Sequence, residues 1–122
     1  MNQKLKKLKD INQYLIHSMN VYDKDFEEQV INSKIPVLIE FWASWCIPCK
    51  MMEYLLNELE DEYNGKIKIA KLNVDRNKII PQKYKTTGVP TFMTFKEGNI
   101  IESKIGAQSK KDLIQMIEKT LK

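Results

Sequence analysis

Cysteine is scarce in this chain, with two residues in 122, Cys46 and Cys49. Two cysteines in one turn exclude a disulfide framework, because a structural staple acts by joining distant segments. Histidine is scarcer still, with His17 alone. A structural zinc site usually needs four ligands, and one cysteine pair with one distant histidine falls short of that. His17 has no second histidine and no acidic residue at a helical spacing, so packing or surface exposure is expected of it rather than general base chemistry. No uninterrupted apolar run approaches the roughly 18 residues of a membrane span. After the lysine-rich start, residues 11–17 (Ile-Asn-Gln-Tyr-Leu-Ile-His) are too polar for a signal-peptide core, so a cytoplasmic location is the expectation. Internal repeats, long linkers, low-complexity segments and nucleotide-binding glycine signatures are all missing.

What remains is the composition of one globular domain: 43% hydrophobic and 30% charged residues in a length that supports a single core. The formal charge of +4 sits mostly in residues 1–12, which hold Lys4, Lys6, Lys7 and Lys9 against Asp10. The basicity is thus largely a tail property, and the body carries no nucleic-acid motif. In residues 4–15, Leu5, Leu8, Ile11 and Leu15 recur at helical intervals between lysines, which predicts a short amphipathic helix against the body or partly frayed. Membrane attachment is the alternative for this segment, weakened by its small apolar face.

Residues 15–19 suit an edge strand. Asp23 is expected to cap a helix burying Phe26 and Val30. Pro36 opens an apolar β-rich run, residues 37–42, interrupted only by Glu40. A long helical pattern follows Cys46, with Met52, Leu55, Leu56, Leu59 and Tyr63 on one face and Glu53, Glu58, Glu60, Asp61 and Glu62 mainly outside. Asn64-Gly65 ends it, and Ile67, Ile69 and Leu72 start another strand pattern. Strand, helix, strand in this order predicts a right-handed parallel crossover, which puts the cysteine turn at the carboxyl end of a central strand. A short helix toward Tyr84, a strand over 91–96 with core candidates Phe92 and Phe95, a hairpin at Glu97-Gly98-Asn99 and a strand over 100–105 follow. Gly106 breaks that strand, and Ser109 caps a last helix that buries Leu113, Ile117 and Leu121.

The turn Cys46-Ile47-Pro48-Cys49 carries the chemistry. Unpaired helical N–H groups and the positive end of the dipole favour a thiolate over a thiol, and the spacing closes a small disulfide at little backbone cost. Cys46, nearer the helix start and the exposed loop, would attack a partner disulfide, and Cys49 would resolve the mixed disulfide. Pro48 fits an early helical position, where a missing N–H needs no acceptor. Ile47 offers no polar hydrogen to the Cys46 sulfur, so a modestly depressed Cys46 pKa and a reducing dithiol are expected.

Glu40 lies beneath this turn. Desolvation there would raise its pKa and let it exchange a proton with Cys49; strand alternation that turns its carboxylate outward is the other reading. Lys71, on the adjacent strand, either pairs with Glu40 or faces solvent. Trp45 is expected to cover the cysteine site or contact a partner, and Trp42 to support the loop from the core side.

Taken together, Phe41-Trp42-Ala43-Ser44-Trp45-Cys46-Ile47-Pro48-Cys49-Lys50, Lys71-Leu72-Asn73-Val74-Asp75, Gly88-Val89-Pro90-Thr91, Phe95-Lys96-Glu97-Gly98 and Gly106-Ala107 resemble the thioredoxin family over about residues 15–122, leaving residues 1–14 as an N-terminal amphipathic extension. The resemblance implies an α/β thioredoxin fold with a central mixed five-stranded sheet in the order 1-3-2-4-5 and four helices around it. It implies a cis Pro90 whose Val89 backbone faces Cys46 across a substrate groove shaped by Trp45, Pro48, Val89, Pro90 and Gly106, with Cys46 as nucleophile and Cys49 as resolving thiol. Three positions depart from the family pattern: Ile47 replaces a glycine beside the groove, Glu40 stands where an aspartate is usual, and Tyr54 replaces a proline that kinks the catalytic helix.

The function expected from both lines of reading is reduction of protein disulfides by a monomeric thiol–disulfide oxidoreductase. It would bind no cofactor itself. A thioredoxin-reductase-like partner would recharge it, and NADPH and FAD belong to that partner. An extracytoplasmic oxidase or isomerase and a thioredoxin-like binding module are the competing classes.

Overall fold

The computed structural model describes residues 19–122. The amphipathic segment at 4–15, His17 and all of the expected edge strand but its last residue lie outside the described residues. Five strands form one sheet: β1 (Met19–Asn20), β2 (Val37–Trp42), β3 (Lys68–Asn73), β4 (Thr91–Lys96) and β5 (Asn99–Ile105). Their spatial order is β1-β3-β2-β4-β5, as the resemblance implied. β3 pairs parallel with both β1 and β2, while β4 pairs antiparallel with β2 and β5. Three α-helices are attached to the sheet: α1 (Ile47–Glu62), α2 (Ile79–Lys83) and α3 (Lys110–Leu121). Among the described residues no helix is long and apolar enough to cross a membrane.

Strand alternation divides the core into two layers. Val37, Ile39 and Phe41 of β2 pack with Phe26, Val30, Ala70, Leu72, Ile80, Met93 and Phe95 on one face. Leu38 points the other way and joins Met52, Leu56 and Leu59 of α1 with Leu113, Met116 and Ile117 of α3. Both faces of the central strand are therefore covered, and β2 reads as a nearly continuous apolar run for that reason. α1 runs through Tyr54 without interruption from Ile47 to Glu62. The β4–β5 hairpin turns through Glu97 at φ 52° and Gly98 at φ 82°, the consecutive positive values of a two-residue turn that matches strand twist. Ser109 accepts the Asp112 N–H at 3.0 Å and starts α3 as expected.

The first helical segment departs from the expectation. Residues Asp23–Asp25 form a 3-10 turn and Glu27–Ile31 a turn of π-helix, although Phe26 and Val30 are buried as predicted. Asp23 does not cap this segment. Its carboxylate accepts the N–H groups of Ile79 and Ile80 at 3.1 and 2.9 Å, capping α2 from a distant part of the chain. The N-cap is Tyr22, and Asp25 at the third position of the turn accepts the Tyr22 N–H at 2.7 Å. Two acidic residues two apart offer the same local signal, and only the approach of α2 decides between them.

Candidate active site

Cys46 is the N-cap of α1, in extended backbone conformation, and Cys49 lies in the first turn. The two form a disulfide with their Cα atoms 5.3 Å apart. The Cys49 N–H donates to the Cys46 sulfur at 3.1 Å, so sulfur takes the capping position that serine or aspartate fills elsewhere. Ile47 and Pro48 occupy the first two helical positions, where the missing N–H of proline is harmless. Both cysteines are buried, at 3% and 2% exposure, whereas Trp45 and Ile47 on either side of Cys46 are 67% and 69% exposed. The expected contrast between an open Cys46 and a covered Cys49 is thus absent in the disulfide form. A small apolar cluster of Ala43 and the two cysteines explains this, with Trp42, Val74 and Val89 packed against it.

Glu40 is fully buried. Alternation along β2 puts it on the same face as Leu38, under α1, and the alternative of an outward carboxylate fails because neither face of β2 is open to water. Neither of its carboxyl oxygens has a hydrogen-bond partner among the described residues. Desolvation is the main cause that pushes its pKa up to about 8; Lys71 opposes the shift and Glu53 adds to it. Lys71 is its register partner on β3 and is buried, yet it neither pairs with Glu40 nor faces solvent, the two alternatives read from the sequence. The Lys71 ammonium instead meets Glu53 of α1 at 3.0 Å and sits 4.6 Å from the centre of the Trp42 ring. A partly exposed carboxylate costs little to keep ionised, so it outcompetes a buried one for the cation.

Val89 and Pro90 are joined by a cis peptide bond, as the resemblance implied. Thr91 Oγ1 donates to the Gly88 carbonyl at 2.6 Å, which fixes the loop ahead of β4. The Gly106 N–H donates to the Pro90 carbonyl at 2.7 Å and ties the end of β5 to the same bend, with Gly106 at φ 93°. Trp45, Val74, Thr86, Thr87, Gly88 and Val89 line an open cleft of about 170 Å³. The Trp45 indole N–H donates to Asp75 at 2.9 Å, so the ring is held over the cleft by its polar edge. Ile47 and Pro48 stand exposed at the helix start and do not line that cleft.

The thioredoxin family profile matches residues 17–119. The chain is 45% identical to the thioredoxin of Pseudomonas aeruginosa over 102 residues, covering 84% of this chain and 94% of that one. It is 43% identical to the thioredoxin of Rickettsia felis over 102 residues, 84% of this chain and 97% of the relative. The thioredoxin of Haemophilus influenzae matches at 42% over 99 residues, 81% and 92% of the two chains. This chain belongs to the thioredoxin family. It is a thiol–disulfide oxidoreductase whose redox couple is its own cysteine pair rather than a bound cofactor. Among the described residues no group of three or more histidine, cysteine or carboxylate side chains could hold a metal ion.

Two contributors escaped the sequence reading. Asp75, the acceptor for Trp45, lies in the Lys71-Leu72-Asn73-Val74-Asp75 stretch that carried the resemblance, and that motif was its signal. Glu53 looked like part of the solvated face of α1. Its four-residue separation from Cys49 was the available hint, since it places Glu53 one helical turn after that cysteine.

Proposed function

We propose that this thioredoxin, with its Cys-Ile-Pro-Cys turn, reduces protein disulfides by attack from Cys46 and resolution by Cys49. The Cys46 thiolate attacks one sulfur of the substrate disulfide, forming a mixed disulfide and releasing one substrate thiolate. Cys49 gives its proton to the Glu40 carboxylate, directly or through one water, and attacks the Cys46 sulfur. The Cys49 sulfur supplies the pair for the new Cys46–Cys49 bond, and the second substrate thiolate leaves with the pair of the broken mixed disulfide. Two thiols have become one disulfide, and one substrate disulfide has become two thiols.

The observation that carries this reading is the Cys46 sulfur at the N-cap of α1, 3.1 Å from the Cys49 amide nitrogen. In the reduced protein that N–H and the helix dipole favour a thiolate at position 46. Glu40 supports the second step, because a carboxyl near pH 8 matches the ordinary range of a thiol far better than a solvated carboxylate does. Trp45, Val89, Pro90 and Gly106 form the substrate side of the groove, with Ile47 and Pro48 at its outer lip; the free Val89 backbone pairs with an extended substrate segment. Trp42 and Lys71 support the site from below.

In the same reading residues 15–122 work as one monomeric unit in the cytoplasm, with residues 1–14 as an appendage. A thioredoxin-reductase-like flavoenzyme returns two electrons from NADPH. The test is reductase-coupled turnover of insulin disulfides by the wild type and the C46S and C49S variants. Turnover should vanish in both variants, and C49S should accumulate the mixed disulfide. Wild-type turnover in either variant would overturn the assignment.

A further inference from the structure

Glu40 and Lys71 face each other across two neighbouring strands, yet they are not partners. Parallel register places their side chains on the same face, roughly 5 Å apart at the backbone, well within reach of a lysine. The Lys71 side chain is buried enough to be desolvated along its stem, and its ammonium could turn to either carboxylate. It goes to Glu53, which projects from α1 with its side chain 54% exposed. The indole of Trp42 supports that direction by presenting its face to the ammonium. Glu40 is left with two unpartnered oxygens in a buried site.

We infer that Glu53 is a positioning residue for the redox site: by holding the Lys71 ammonium it withholds that cation from Glu40, and so governs how readily the buried carboxyl releases its proton. The groups packed around Glu40 give the sign. Lys71 comes from β3 and Glu53 from α1, the register partner on β4 is the apolar Phe92, and the cysteines stand at the start of α1. Removing the Glu53 charge frees Lys71 to swing to Glu40 and also removes a repelling negative charge. Both changes stabilise the Glu40 carboxylate, because an opposite charge favours ionisation and a like charge opposes it. Both effects are already present in the directions exerted on Glu40, lowered by Lys71 and raised by Glu53.

This inference rests on the proton-relay reading of Glu40 for its functional meaning, and the experiment separates the two. The titration of Glu40 is followed by carboxyl carbon NMR in the disulfide form, where no thiol titrates, for the wild type, E53Q, K71M and E53Q/K71M. The E53Q midpoint should fall by about one pH unit or more, the magnitude expected when a unit charge moves to within a few ångströms of a buried carboxyl. K71M should raise it, and E53Q should have at most a small residual effect once Lys71 is gone. An unmoved midpoint in E53Q overturns the inference. So does an equal fall in the presence and absence of Lys71, since that would be direct repulsion without any withholding of the lysine. The pH profile of reductase-coupled turnover is then compared: its acid limb should follow the Glu40 midpoint downward in E53Q. A midpoint that moves while the profile stays in place sinks the relay role of Glu40 and leaves the assignment of Glu53 standing.

Discussion

The face of the sheet beneath α1 and α3 treats buried polar groups in two opposite ways. Toward one end, Thr120 Oγ1 bonds Thr94 Oγ1 and the Met116 carbonyl, both at 2.7 Å, and Thr94 Oγ1 also accepts the Glu102 N–H at 3.1 Å. Toward the cysteine end, both Glu40 oxygens and the Trp42 indole nitrogen are buried with no hydrogen-bond partner among the described residues. A satisfied network fixes how α3 sits on β4 and β5. Unsatisfied groups raise the free energy of the folded state, and here they lie on β2, the strand that leads into the cysteine turn. The contrast places the costly burial of polar groups at the cysteine end of this face.

The largest break in this comparison removes the chemistry that the unsatisfied end serves. C49S should lose disulfide reduction to background in the insulin assay while keeping the thermal midpoint of the reduced protein within a few degrees. The next is E40Q, which removes the titrating carboxyl and keeps its shape. Turnover near pH 7 should fall by about 10²-fold, the lower range for loss of a general acid or base.

The same variant reveals the stability cost. Glu40 has its folded pKa raised from 4.5 to about 8, so the native state holds a proton that the unfolded state has already released between those values. Its contribution is favourable below about pH 4.5 and is lost as pH climbs toward 8. Urea unfolding at pH 5 and pH 9 should therefore show the wild type losing on the order of 4 kcal/mol relative to E40Q across that interval. Parallel stability curves would remove the buried carboxyl from the account.

At the satisfied end, T120V takes away one partner of the Thr94 hydroxyl, which keeps the Glu102 N–H, and should cost about 1 kcal/mol at every pH, with insulin reduction unchanged. T94V/T120V should cost less than the two single changes together, because each single change already removes the shared Thr94–Thr120 bond. The smallest effect belongs to a pair outside the core. Lys110 at the start of α3 meets Glu58 and Glu62 of α1 at 2.9 and 2.6 Å, and these contacts hold its pKa well above the usual lysine range. K110M should lower the thermal midpoint less than T120V does, and about 0.5 M salt should erase the difference.

Legibility in the sequence followed the range of the interaction. β2 and β4 coincide with the runs read from the sequence, and α1 begins where the cysteine turn predicted it, because apolar runs, a capping position and a glycine stop are local signals. The cysteine pair was legible for the same reason. Asp23, Lys71 and Glu53 were not, since each has a choice of partners that only becomes a choice when another element arrives. Asp23 serves α2, some 55 residues on, in place of its own turn. Lys71 passes over its neighbour in register for a carboxylate one helix away.

By itself the sequence determined the order of strands and helices, the apolar pattern that covers both faces of β2, and the placement of two sulfurs at a helix start. These follow from periodicity and backbone chemistry, which act over a few residues. Tertiary structure decided which charges meet. Whether a carboxyl is paired, stranded or wet depends on what packs over it, and the dielectric and the neighbouring charges that set its proton affinity exist only after α1 has closed over the sheet.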